Sequence, residues 1–187
     1  MEAFLISTGL VALAEIGDKT QLLALLLAAR FRQPWPIVWG ILVATVANHA
    51  LAGWLGLLVA QWLTDDVLRW VLGIGFLAMA VWMLIPDQLD DDTPDTQGRW
   101  GVFGTTCVVF FMAEMGDKTQ IATVALAAQF NAWLAVVAGT TLGMMIANAP
   151  AVWLGDRMAH RLPVRAIHAV AAVVLLGLGV ITLWGVW

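Results

Sequence analysis

The sequence predicts an all-α polytopic membrane protein with six transmembrane helices, arranged as two inverted three-helix repeats. Composition provides the first observation, because 61% of the 187 residues are hydrophobic and only 12% are charged. These fractions are unusual for a soluble domain and typical of a chain that crosses a bilayer several times. The second observation is an internal repeat, in which a polar motif recurs 99 residues further along the chain.

Six apolar segments approach or exceed the length that spans a bilayer, and turn-forming or polar residues separate them. The one long polar segment lies between the third and fourth spans and is acidic. We therefore expect a single integral membrane domain made of a first repeat (1–86), an acidic cytoplasmic linker (87–100) and a second repeat (101–187). The approximate spans are 3–29, 36–60, 67–85, 102–128, 132–154 and 165–186.

The two halves share a long stretch of similar sequence. AEIGDKTQLLALLLAARF at 14–31 matches AEMGDKTQIATVALAAQF at 113–130, with 11 of 18 positions identical. The match continues into the next helix, where Gly40 corresponds to Gly139. Because each half has three spans, the second half must enter the bilayer from the opposite side. Inverted repeats of this kind are typical of secondary transporters, which bind their substrate near the membrane midplane.

The distribution of arginine predicts the orientation in the membrane. The loops after the first, third and fifth spans lie on one side and carry six arginines, whereas the opposite side carries only Arg69. Since positive residues favour the cytoplasmic side, we expect those three loops in the cytoplasm and both termini outside. The six arginines are Arg30, Arg32, Arg99, Arg157, Arg161 and Arg165.

Each motif places ionisable residues in the middle of an apolar span. Glu15 and Asp18 lie near the middle of the first span, and Glu114 and Asp117 near the middle of the fourth. An ionisable side chain at that depth costs at least ~2.5–3.5 kcal/mol, so these groups must face one another, water or an ion. A twofold axis in the membrane plane would bring both motifs to one midplane cavity.

The glycine and lysine residues of the motifs lead to two further expectations. Gly17 and Gly116 weaken the helix between the acids, so an unwound turn with free backbone carbonyls is expected. Lys19 lies four residues after Glu15, close enough to pair with it and to balance part of the negative charge. Lys118 repeats this spacing in the second half. Two buried salt bridges of this type are the purely structural alternative, which leaves both aspartates unexplained.

The polar side chains of the motifs form an oxygen-rich set of ligands. Such a set suits Ca²⁺, Mn²⁺ or Mg²⁺ better than Cu⁺ or Zn²⁺. The predicted metal ligands are the four carboxylates, and the nearby amides and hydroxyls are secondary ligand or pathway candidates. The carboxylates are Glu15, Asp18, Glu114 and Asp117, and the secondary candidates are Gln21, Gln120, Thr20, Thr119, Asn48 and Asn148.

Three polar residues lie in the second and fifth spans. Asn48 and Asn148 occupy matching positions after a one-residue shift, and they could bind the ion or, as we prefer, form hydrogen bonds between helices. His49 has no counterpart in the second half. It could relay protons, although a packed, hydrogen-bonded histidine is the favoured interpretation.

The doubled motif E-x-G-D-K-T resembles the signature of a membrane family of cation/proton exchangers, which includes bacterial manganese exporters and Golgi manganese/calcium transporters. The resemblance covers essentially the whole chain. It implies export of a divalent cation, Mn²⁺ or Ca²⁺, from the cytoplasm in exchange for protons, and it implies that the four carboxylates belong to the ion site. The compact chain is most similar to the bacterial members, which implies Mn²⁺ and the bacterial inner membrane.

Other classes of function fit the sequence less well. It contains no phosphate-binding glycine-rich loop, no Cys/His cluster and no nucleophile elbow, so we expect no enzyme, no nucleic-acid partner and no cofactor besides the transported ion. A passive divalent-cation channel could use the same acids as a filter, but it needs no buried lysine. An exporter of an amino acid or another small organic solute should offer an apolar pocket, and a membrane scaffold needs no acids at the midplane.

Overall fold

Every regular element in the described part of the chain is an α-helix, which confirms the all-α class. The computed structural model describes residues 1–85, 100–154 and 163–185, so the predicted linker lies outside the described residues except for its last position, Trp100. Eight helices lie in these ranges. They are α1 (Glu2–Glu15), α2 (Lys19–Phe31), α3 (Pro34–Trp62), α4 (Asp65–Trp82), α5 (Gly101–Glu114), α6 (Lys118–Phe130), α7 (Trp133–Leu154) and α8 (Val164–Trp184).

The first and fourth predicted spans are each divided into two helices. α1 ends at Glu15 and α2 begins at Lys19, while α5 ends at Glu114 and α6 begins at Lys118. The bounds of α5 and α6 are those of α1 and α2 shifted by 99 residues. Each half therefore contains the unwound turn that its motif glycine predicts, at the same place in the repeat. We call these two turns the first and the second break.

Three helices in the described ranges are long and apolar enough to cross a membrane: α3, α7 and α8, with mean hydropathies of 1.7, 1.5 and 2.4. α4 has 18 residues but carries Asp65, Asp66 and Arg69 among its first five. Large apolar side chains point outward along the long helices, as Trp54 and Val173 illustrate with exposed fractions of 54% and 68%. An apolar exterior of this kind is compatible with lipid and is costly in water.

The helices of the two halves interlock around the breaks. α1 packs chiefly against α7, and α5 packs chiefly against α3. Gly40 permits the second contact, because a Cβ atom there would lie 2.7 Å from the Cβ of Thr106. Gly139 permits the first, because a Cβ atom there would lie 2.6 Å from the carbonyl oxygen of Phe4. These two glycines, matched in sequence, let each broken helix lie against the long helix of the other half.

α4 and α8 form a third pair of closely packed helices. They approach at Gly73 and Gly179, where a Cβ atom on Gly179 would lie 3.0 Å from the carbonyl oxygen of Gly73. α8 also packs against α1. This contact brings the first turns of α8 to the first break.

Candidate metal centre

The two breaks have nearly the same backbone conformation. Ile16 (φ −67°, ψ 113°) and Met115 (φ −65°, ψ 118°) leave the helix in an extended conformation. Gly17 and Gly116 follow with φ angles of 84° and 77°. Because a Cβ atom in the left-handed region costs roughly 1–2 kcal/mol, glycine is the residue that allows this turn at little cost.

Side-chain amides of the motif glutamines complete both turns. The Gly17 N–H donates to Gln21 Oε1 at 2.8 Å, and the Gly116 N–H donates to Gln120 Oε1 at 2.6 Å. Gln21 Nε2 in turn donates to the carbonyl oxygen of Ala147 in α7 at 2.9 Å. The structure thus places the amide oxygens of both glutamines against the backbone of the breaks, where they stabilise the turns.

Three of the four predicted carboxylate ligands meet where the two breaks come together. One oxygen each of Glu15, Glu114 and Asp117 lies within 4.8 Å of the others. These side chains have exposed fractions of only 0%, 0% and 3%. A separation below 4.8 Å is about twice the 2.3–2.6 Å of a Ca²⁺–oxygen bond, so one cation can contact all three oxygens. Asp18 is buried as well, at 2% exposed, but it does not belong to this group of three.

Threonine hydroxyls donate hydrogen bonds to the Oε2 atoms of the two glutamates. Thr20 Oγ1 donates to Glu15 Oε2 at 2.5 Å. Thr119 Oγ1 lies 3.2 Å from Glu114 Oε2 and 3.3 Å from Asp117 Oδ2. The Oε1 atom of each glutamate is buried and accepts no hydrogen bond within the described ranges. Each glutamate therefore keeps one oxygen available for a ligand.

The first lysine does not pair as its sequence spacing predicts. Among the described residues, Lys19 Nζ lies 3.1 Å from Asp117 Oδ1 and forms no ion pair with Glu15. The break explains the difference, because Glu15 and Lys19 no longer share a continuous helix on which residues four apart are neighbours. A salt bridge within the first half is therefore the wrong interpretation, and the observed pair joins the two halves. Lys118 Nζ donates to the carbonyl oxygen of Ile85, just beyond α4, at 3.0 Å.

The matched asparagines have different partners. Asn48 Oδ1 accepts a hydrogen bond from Gln120 Nε2 at 2.7 Å, and Asn48 Nδ2 lies 3.4 Å from the carbonyl oxygen of Phe111. These contacts fit the preferred interpretation, a hydrogen bond between helices. Asn148 instead donates to Met144 of its own helix at 3.1 Å. Its buried Oδ1 accepts no hydrogen bond from any described residue, so the interhelical bond expected of Asn148 is absent there.

His49 is fully buried in α3 next to the carboxylate cluster. Its Nε2 atom lies 4.0 Å from Glu114 Oε2, which is beyond hydrogen-bond range. Neither ring nitrogen has a hydrogen-bond partner in the part of the chain that the structure describes. The expectation of a packed histidine is therefore confirmed, but the expected hydrogen bond is not formed, because the nearest carboxylate oxygen is too far away.

Sequence reasoning missed the contact of α8 with the backbone of the first break. His168 Nε2 lies 2.8 Å from the carbonyl oxygen of Ile16, and the side chain of Val164 occupies the space that a Cβ atom on Gly17 would need. The second break differs, because a Cβ atom on Gly116 would meet no described atom within 4 Å. No repeat or spacing in the sequence connects the start of α8 with the motifs, so only the folded structure reveals this contact.

The difference between the breaks predicts unequal effects of two matched substitutions. Gly17→Ala and Gly116→Ala both place a Cβ atom at positive φ, at a cost of roughly 1–2 kcal/mol each. Only Gly17→Ala also collides with Val164. We expect Gly17→Ala to lower the thermal unfolding midpoint of the detergent-solubilised protein more than Gly116→Ala does. Adding Val164→Ala should bring the first variant close to the second, and equal midpoints for both single variants would contradict the contact.

Comparisons with known proteins agree on one family. The family model described as divalent cation/proton antiporter GDT1 matches residues 3–91 and 102–187. A Vibrio cholerae protein named as a candidate manganese exporter is 53% identical over 173 residues, which cover 92% of this chain and 86% of that protein. A GDT1-like protein of Synechocystis is 28% identical over 98% of both chains. The Saccharomyces cerevisiae divalent cation/proton antiporter GDT1 is 25% identical over 89% of this chain and 78% of its own. No solved structure matches the chain.

Proposed function

This chain belongs to the GDT1 family of divalent cation/proton antiporters, and we propose that it exports Mn²⁺ from the cytoplasm in exchange for protons. The family predicted from the doubled motif is thereby confirmed, and the protein is a transporter and not an enzyme. The name of the 53% identical Vibrio cholerae protein specifies manganese, which favours Mn²⁺ over Ca²⁺. Carboxylate oxygens are ligands that both ions accept readily, so they do not distinguish Mn²⁺ from Ca²⁺.

The buried carboxylate cluster is the observation that carries this proposal. Glu15 of the first half and Glu114 and Asp117 of the second bring one oxygen each within 4.8 Å of the others. Their burial excludes solvent, so a cation or protons must compensate for the lost hydration of these charges. In the proposed site these three carboxylates bind the ion, Asp18 supplies the fourth acidic group, and Thr20 and Thr119 orient the glutamates.

The charge of the site explains why transport would be an exchange. Four carboxylates and two lysines give −4 and +2, so the empty, fully ionised site carries a net charge of −2. One divalent cation cancels this charge, and two protons on the carboxylates would cancel it as well. Because a residual charge at the midplane is costly, the protein would change its access side loaded with either the metal or protons, and rarely empty.

The proposed architecture is the inverted repeat of two three-helix halves, 1–86 and 101–187, within one membrane domain. Two features support it: the bounds of the broken helices repeat at a constant offset, and each broken helix packs on the long helix of the other half. In this arrangement both termini lie outside the cell, and the linker at 87–100 faces the cytoplasm of a bacterium. α4 and the two pairs of broken helices would complete the six crossings.

The decisive experiment for the function is cation flux in proteoliposomes that contain the purified protein. We expect a pH gradient to drive Mn²⁺ transport, and a proton ionophore, which dissipates the gradient, to abolish it. The fluxes of Ca²⁺ and Mg²⁺ are measured in parallel vesicles. Flux that follows the cation gradient alone, with no proton movement, would instead support the passive channel. Transport of amino acids with no divalent-cation flux would support the exporter of organic solutes.

The proposed orientation predicts which surface positions react from outside the cell. The single native thiol, Cys107, is first replaced by serine. A cysteine at Asp91, in the linker, should then stay unlabelled by an impermeant thiol reagent until the cells are permeabilised. The control position is Asp65, which is exposed at the start of α4 and would lie on the outer side. A cysteine there should be labelled in intact cells. Labelling of the Asp91 position in intact cells would refute the orientation.

A further inference from the structure

His49 is a buried imidazole that the proposed exchange mechanism does not use. It has no exposed surface, and neither nitrogen donates to or accepts from any described residue. Burying a polar group without a hydrogen bond costs about 1–3 kcal/mol, so an unpaired imidazole at this position would be disfavoured unless it had another partner. A metal ion is such a partner, because neutral imidazole binds metals through a ring-nitrogen lone pair.

The distance from His49 to Glu114 fits two ligands of one ion, although His49 does not belong to the group of three side chains whose oxygens lie within 4.8 Å of one another. Its Nε2 atom lies 4.0 Å from Glu114 Oε2. Ligand atoms about 2.1 Å from an octahedral ion lie about 3 Å apart when they are neighbours and about 4.2 Å apart when they are opposite. The observed separation falls between these two values. It is too long for a hydrogen bond, but it leaves room for an ion between the two side chains.

The neighbouring residue fixes the position of this imidazole along α3. Asn48 accepts a 2.7 Å hydrogen bond from Gln120, and the amide oxygen of Gln120 accepts from the Gly116 N–H in the second break. α3 is thus attached to the break that carries Glu114 and Asp117. The corresponding position of the second half, Ala149, carries no ligand atom, so the site would have one nitrogen donor among its oxygen donors.

We infer that His49 is a nitrogen ligand of the transported cation and that it makes the site prefer Mn²⁺ to Ca²⁺ and Mg²⁺. This inference rests on the proposed function, since it concerns the same carboxylate cluster. Ca²⁺ and Mg²⁺ take oxygen ligands almost exclusively, whereas a nitrogen donor favours the first-row transition metals, a series in which Mn²⁺ is the weakest binder. A single imidazole among carboxylates therefore discriminates against alkaline-earth ions while most of the binding energy still comes from charge.

Binding measurements on the purified full-length protein test this ligand. In His49→Gln, whose side chain lacks the imidazole nitrogen, we expect the Mn²⁺ affinity to fall about 10-fold or more, and the Ca²⁺ and Mg²⁺ affinities to change much less. The matched control is His168→Gln, which removes another buried histidine, one that contacts the Ile16 carbonyl and lies outside the carboxylate cluster. That variant should keep the wild-type ratio of Mn²⁺ to Ca²⁺ affinity. Retained Ca²⁺ binding by His49→Gln shows that the variant is folded.

Pulsed electron paramagnetic resonance of bound Mn²⁺ provides an independent readout. Wild type and His168→Gln should both show the modulation of a directly coordinated ¹⁴N nucleus, and His49→Gln should lose it. An unchanged ratio of Mn²⁺ to Ca²⁺ affinity in His49→Gln, or no ¹⁴N coupling in the wild type, would overturn this inference and leave the proposed function intact. A wild-type protein that binds none of the three ions would overturn both.

Discussion

Replacing Asp117 with asparagine is expected to abolish divalent-cation transport while the protein still folds. Asp117 supplies one of the three clustered oxygens and is the ion-pair partner of Lys19. Three carboxylates and two lysines would leave the empty site at −1, so one divalent cation would bring it to +1. A surplus charge at this depth costs at least ~2.5–3.5 kcal/mol, which corresponds to a rate reduced about 100-fold or more.

The measurement is Mn²⁺ flux into proteoliposomes, normalised to protein that elutes as a single species in size-exclusion chromatography. Asp66→Asn is the matched control, because Asp66 also pairs with a cation, Arg69 at 3.3 Å, but its side chain is 87% exposed. This control should transport at the wild-type rate. Asp18→Asn should fail as Asp117→Asn does. Wild-type flux through Asp117→Asn would mean that the second motif is structural and that the assigned site is wrong.

Cation binding should weaken about 100-fold for each unit by which the pH falls, over the range in which protons and metal compete for the carboxylates. The count of site charges gives this number, since one divalent cation would replace two protons. The sign follows from mass action: more protons at low pH favour the protonated site, so the dissociation constant of the metal rises as the pH falls. The same competition would couple metal export to proton entry.

Calorimetry tests the stoichiometry directly. Titrating Mn²⁺ in buffers of different ionisation enthalpy should give close to two protons released per ion bound. A variant that keeps the charge count, such as Asn48→Ala, should release the same number even if it binds less tightly. An affinity that stays constant from about pH 5 to about pH 8 would exclude shared carboxylates and the exchange mechanism with them.

The sequence alone predicted the breaks and most of the cluster, because both depend on local chemistry. Gly17 and Gly116 weaken the helix and so predict an unwound turn, and the recurrence of the motif places its acids at equivalent positions of the two halves. The partner of Lys19 could not be predicted, since an i, i+4 pair requires an unbroken helix and the actual partner is 98 residues away in the chain. Burial without hydrogen bonds, the distinctive property of His49, likewise depends on how distant helices pack.

In the proposed inverted repeat, the contact between His168 and the Ile16 carbonyl would make the two end states of the transport cycle differ in population. α4, the counterpart of α8 in the first half, contains no histidine, so a conformation in which the halves exchange roles cannot form the same bond at the second break. One hydrogen bond contributes about 0.5–1.5 kcal/mol, equivalent to an about two- to twelvefold preference for the conformer that has it. An exchanger with this bias spends most of its time in one of the two end states. Its apparent cation affinity should therefore depend on the face of the membrane from which the affinity is measured.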